Sequence, residues 1–187
     1  ALPLSAASHV DVVKMRTENR VNPLGIGTST PRFSWQITSD RKGVVQTSYQ
    51  ILVASSREKL DRNEADLWDS GERNSDEQLW IPYQGKALLS GAQAYWKVRI
   101  TTNKGKSEWT EPQLFSIGLL GETKWSGTWI GLEDLQPGEQ KGMHTRLAAR
   151  YIRKDFATKG KVKRAVAYVA GLGVYEFYVN GQRMGGR

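Results

Sequence analysis

The chain has no cysteine. That one absence excludes disulfides, thiolate zinc sites and cysteine nucleophiles together. No apolar run approaches the roughly 18 residues of a membrane-spanning helix. Histidine is nearly absent: His9 and His144 stand far apart, with no local ligand partners, so neither points to a metal site. No metal or other cofactor is therefore expected. Long amphipathic helical patterns are also missing. Ser55–Asp66 is the one plausible helical turn, and it is too short to carry a domain. The first residues, ALPLSAASHV, have neither a basic start nor a long apolar stretch. They read as a mature terminus after signal cleavage, or as a cloning remnant.

What is present is aromatic and alternating. Seven Trp and seven Tyr accompany only three Met, which points to aromatic cores in β structure. A length of 187 residues allows one or two domains. The net charge of +8 is uneven. Residues 1–118 carry 15 basic and 13 acidic side chains, whereas residues 119–187 carry 12 and 6. The excess lies mainly in Arg150, Arg153, Lys154, Lys159, Lys161, Lys163 and Arg164. No recognition helix or RNA-binding aromatic motif accompanies it, so a lysine-guarded strand edge is expected rather than a nucleic-acid partner.

Short apolar alternations recur along the first 118 residues. Phe33, Trp35 and Ile37 alternate with polar residues, as do Tyr49, Ile51 and Val53, and Trp96, Val98 and Ile100. Gln78–Tyr83 reads as a short strand, at an edge because of Pro82. Leu114–Ile117 closes the series. Short strands separated by turn signals over about 100 residues indicate a β-sandwich of immunoglobulin or fibronectin type III kind. Its predicted core holds Phe33, Trp35, Tyr49, Ile51, Val53, Trp96, Val98, Ile100 and Phe115. A corner tyrosine should stand two residues before the first inward residue of the late strand. Ala94 occupies that place, and Tyr95, one residue off, should point outward.

A second β unit begins after Gly118–Thr123, with strands expected at Arg150–Phe156 and Val162–Ala170. At its end Asn180-Gly181 is a strong hairpin signal, since a type I′ turn needs positive φ at both central residues. A two-residue turn sets Val179 against Gln182, Tyr178 against Arg183 and Phe177 against Met184. Phe177, Val179 and Met184 then share a face that needs a covering layer. The 187 residues are accordingly expected to belong to a longer protein.

Little in the chain looks catalytic. Asp66 with Asp69, and Asp76 with Glu77, are carboxylate pairs by proximity only, and all sit among turn signals. Thr47-Ser48 and Ser55-Ser56 lack a nucleophile-elbow pattern. Gly171-Leu172-Gly173 has no helix after it and is a strand connection. Trp80, Tyr83, Trp109 and Trp125 are the aromatics least buried by pattern. They are candidates for stacking on a sugar or for packing between domains.

Taken in order, several stretches resemble the N-terminal region of bacterial α-L-rhamnosidases of glycoside hydrolase family 78. They are Asn22-Pro23-Leu24-Gly25-Ile26, Pro31-Arg32-Phe33-Ser34-Trp35 and Gln46–Ser56. Leu67-Trp68-Asp69-Ser70-Gly71, Tyr95–Arg99 and Trp125–Gly131 follow, then Ala167–Gly173 through Asn180-Gly181. The resemblance implies an all-β chain: a fibronectin type III-like sandwich over 1–118, then the first part of a jelly-roll-like sandwich over 119–187. It implies a non-catalytic accessory region whose partner is an (α/α)₆ barrel elsewhere in the parent chain. Two acids there perform inverting hydrolysis of terminal α-L-rhamnose. A periplasmic or secreted location is expected, with a cytoplasmic one left open. The alternative reading is a stand-alone carbohydrate-binding or adhesion module.

Overall fold

The computed structural model describes residues 10–121, 125–131, 135, 137–139 and 148–185. His9 and His144 lie outside the described residues. The chain divides into a unit ending at Thr128 and a unit beginning at Trp129.

The first unit is a sandwich of two antiparallel sheets. The smaller has the order β1-β2-β6, from Val10–Thr17, Arg32–Ser39 and Ile81–Pro82. The larger is built on β3 (Gln46–Ala54) and β7 (Gln93–Thr102), paired from Gln46↔Thr102 to Ala54↔Tyr95. Beyond β3 lie β4 (Trp68–Asp69) and β5 (Arg73–Asn74), and beyond β7 lie β8 (Gly105–Lys106) and β9 (Gln113–Ser116). All nine predicted core residues are buried between the sheets. Phe33 is their hub. Its ring centroid is 4.4 Å from Trp96 and 5.7 Å from Phe115. Each such side chain contributes about 1.5–3 kcal/mol by leaving water. That is why strict alternation over these strands produces two sheets face to face.

The Asn22–Ile26 stretch is irregular, as its Pro and Gly imply, but it is pinned to β9. Asn22 Oδ1 accepts the Leu114 N–H at 2.9 Å, and Pro23 O accepts the Ser116 N–H at 3.0 Å. The helical turn appears as α1, Arg57–Asp61, capped by Ser56. It covers the outer face of the larger sheet, where Leu60 is buried with Leu52 and Ala54. Tyr95 points to that same outer face and packs there, as expected. The tyrosine that ties a corner is Tyr83 instead. Its hydroxyl donates to Lys86 O at 2.7 Å, with Leu67 O 3.3 Å away. Burial pushes the Tyr83 hydroxyl up to about 12, with Asp66 adding to the effect.

In the second unit the hairpin forms with the predicted register. β10 (Phe177–Val179) pairs with β11 (Gln182–Met184) through Phe177↔Met184, Tyr178↔Arg183 and Val179↔Gln182. Asn180 and Gly181 adopt φ of 50° and 79°, the left-handed pair a type I′ turn requires. The strands expected at Arg150–Phe156 and Val162–Ala170 do not form, and neither segment carries ladder bonds. A segment without a neighbouring strand has no ladder partner for its backbone groups.

Candidate functional site

The four aromatics singled out in the sequence occupy four different environments. Tyr83 is 3% exposed, with its ring against Phe33 and Trp68, so the expectation that it lies near the surface is corrected. Its apparent polarity came from the neighbouring turn residues, not from its own position. Trp109 is half-buried over the outer face of β7. Arg99 lies 4.4 Å from its ring centroid and Lys97 Nζ 5.1 Å. Trp125 is exposed and folds over Gly127, whose Cβ, if present, would lie 3.0 Å from the indole nitrogen.

Trp80 is the exception. It is 46% exposed, and Leu79 beside it is 65% exposed. Continuing the Arg32↔Pro82 and Phe33↔Ile81 register would set Trp35 against Leu79. Instead the Trp35 N–H donates to Gln78 O at 3.0 Å, one residue further along. The extra residue is a bulge, absorbed where Trp80 turns left-handed at φ 59°. Glycine usually takes such a position, and a bulky residue there costs about 1–3 kcal/mol. The geometry is held from both sides. The Trp80 N–H donates to Ser34 Oγ at 3.0 Å, and the Arg32 guanidinium lies 4.2 Å from the indole centroid. Arg32 in turn grips Glu18 through Nε at 3.0 Å and Nη2 at 2.7 Å. The Arg32 hydrogen bonds hold the Glu18 carboxyl below its ordinary range.

The carboxylate pairs do other work. Asp66 receives Lys59 Nζ at 2.6 Å and the Ser55 N–H at 2.9 Å. Burial would raise its pKa, but these bonds from Lys59 and Ser55 outweigh it and bring it to about 2. Asp69 Oδ1 accepts from Gln50 Nε2 and from the Gly71 N–H, closing the turn after β4. Asp76 lines a shallow hollow of about 470 Å³ with Gln36, Gln46 and Gln78 and with Ile37, Val44 and Val45, and Asp66 is not part of it. Among the described residues no group of three or more His, Asp or Glu is placed to hold a metal ion. No described helix is long and apolar enough to cross a membrane.

Sequence reasoning missed Lys97. It sits on the outward register yet is 5% exposed, with Nζ donating to Leu60 O and, at 2.7 Å, to Asn63 Oδ1. Burial lowers its pKa, with Asp61 opposing and Arg99 adding to the shift. The short helix above it was legible, but not that the helix would cover this particular side chain.

Two stacked antiparallel sheets around an aromatic core define an immunoglobulin-like β-sandwich, a class of fold rather than an activity. Residues 12–121 match the family described as the Rha78A-like, N-terminal immunoglobulin domain, and the chain belongs to that family. Residues 160–187 match the alpha-L-rhamnosidase N-terminal domain. An alpha-L-rhamnosidase of Formosa agariphila is 35% identical over 191 residues, covering 94% of this chain and 20% of that protein. One from an Alteromonas species is 35% identical over 167 residues, covering 88% and 18%. Among solved structures, Streptomyces avermitilis alpha-L-rhamnosidase complexed with L-rhamnose aligns with TM-score 0.62 and 36% identity. It covers 66% of this chain and 12% of that one. The Dictyoglumus thermophilum alpha-L-rhamnosidase gives TM-score 0.62 and 32% identity, over 70% and 15%. The chain thus spans about a fifth of the length of these curated relatives.

Proposed function

We propose that this chain is the non-catalytic N-terminal accessory region of a glycosidase that removes terminal α-L-rhamnose with inversion. One observation carries the reading: the match runs through 94% of this chain but only 20% of a relative named alpha-L-rhamnosidase. The described carboxylates support it, because Asp66 and Asp69 are held in a salt bridge and a turn rather than facing each other across a cleft. Residues 1–118 would be one domain and residues 119–187 the incomplete first part of a second, with the (α/α)₆ barrel further along the parent chain, in the periplasm or outside the cell. The exposed basic side chains from Arg153 to Arg164 are then a solvated surface and not a nucleic-acid footprint.

An aryl α-L-rhamnoside assay tests this directly. The 187-residue chain should release no aglycone, while the longer protein that carries it should turn over and yield β-L-rhamnose first by NMR. Turnover by the chain itself, or α-L-rhamnose as the first product, defeats the corresponding half of the reading.

A further inference from the structure

We propose that the Trp80 bulge is a carbohydrate-binding subsite for a neutral deoxyhexopyranose. The indole stacks its face away from Arg32 on the C–H face of the sugar, and Leu79 packs against the exocyclic methyl. The choice of a deoxy sugar rests on the proposed function; the existence of the site does not.

Three observations carry it. The first is strain with only partial burial. The bulge forces a left-handed backbone on a large aromatic, yet nearly half of that side chain and most of the adjacent Leu79 stay in water. The sandwich core gains nothing from an indole there, so the strain points to use rather than to packing. The second is rigidity. Ser34 fixes the Trp80 backbone, Arg32 fixes the ring, and Glu18 fixes Arg32 by two bonds. A platform ordered in advance loses little entropy when a weak ligand lands on it. The third is charge. Glu18 and Arg32 neutralise each other, which leaves an aromatic patch with no net charge. That combination suits an uncharged polyol with apolar C–H faces better than an anionic polymer. Trp109 offers less surface, because it is more buried and carries two cations, Lys97 and Arg99, against its ring where Trp80 carries Arg32 alone.

The test is a titration of the 187-residue chain with methyl α-L-rhamnopyranoside, following indole N–H resonances. Saturable movement of the Trp80 signal is expected, with a dissociation constant on the order of millimolar. Trp80→Ala should weaken binding at least about tenfold, whereas Trp80→Phe should stay within about threefold. Trp109→Phe should bind as the parent does, and the melting temperature of Trp80→Ala should not fall. The absence of saturable movement at Trp80 with rhamnosides, fucosides and glucosides alike overturns the site. So does binding that survives Trp80→Ala, or movement that follows protein dilution and marks contact between copies. Saturation by glucosides but not rhamnosides keeps a sugar site and removes the deoxy preference. None of these outcomes touches turnover by the longer protein, so the subsite and the proposed function fail separately.

Discussion

Phe33 and Phe156 are the same side chain in two segments that both read as strands, yet Phe33 is 0% exposed and Phe156 is 80% exposed. The first unit repeats that contrast along every strand. Trp35, Ile51, Val98 and Phe115 are sealed between two sheets, whereas Tyr151, Leu172 and Val174 of the second unit face water. Among the described residues of the second unit, only the β10–β11 hairpin carries ladder bonds, and no residue is buried. The lesson is that alternation makes an apolar face, but only an opposing layer makes that face a core. A hairpin alone is marginal in water however good its turn.

Four measurements break or sharpen this contrast. Amide exchange should show the largest effect. Core strands open only with global unfolding, typically about 5–15 kcal/mol, so β3 and β7 should be protected more than about a thousandfold beyond residues 148–176. Equal protection would mean that the second unit has a cover of its own or from a partner. Truncating matched aromatics comes next. Phe33→Ala should cost about 3–5 kcal/mol in denaturant unfolding, and Phe156→Ala no more than about 0.5 kcal/mol.

Glycine substitutions should separate the units more gently. A Cβ on Gly85 would lie 2.4 Å from Leu67 O and from Trp68 Cβ, and 2.6 Å from the Tyr83 hydroxyl. Gly85→Ala should therefore lose about 1–3 kcal/mol, whereas Gly173, with nothing within 4 Å, should accept alanine within about 0.5 kcal/mol. The smallest effect concerns acid. The folded-state pKa of Asp66 is lowered from 3.8 to about 2. Its contribution is thus present above pH 3.8 and lost as pH falls through about 2. Asp66→Asn should flatten the stability curve over that window, by at most about 1 kcal/mol because the pair is part-exposed. A curve for Asp66→Asn that matches the unsubstituted chain's would show that this partly sheltered pair gains nothing from its surroundings.

Much of the fold was legible because it rests on local chemistry. The Asn180-Gly181 turn and its register follow from φ preferences alone. The core residues follow from period two, provided that two sheets exist to face each other. The expected strands at Arg150–Phe156 and Val162–Ala170 failed for the complementary reason: the described chain supplies no ladder partner for them. The candidate site was only half legible. Trp80 could be nominated as an aromatic outside the pattern, but nothing in Gln78-Leu79-Trp80-Ile81 announces a left-handed tryptophan. Lys97 reads as an outward residue, and it is outward, beneath a helix that closes over it. Tyr83 reads as a surface aromatic and is instead a buried corner tie.

The sequence by itself determined the all-β class, the inward set of each long strand, the final turn and the family likeness. Those depend on side-chain period and backbone preference, which act over a few residues. Only the tertiary structure decided which aromatics are exposed, which carboxylates are paired and where the backbone is strained. Each of those depends on groups brought together from distant parts of the chain: Glu18 with Arg32 and Trp80, Lys59 with Asp66, and Lys97 with Leu60. Such contacts form only when the sheets have closed, because burial and the matching of donors to acceptors are properties of the packed whole.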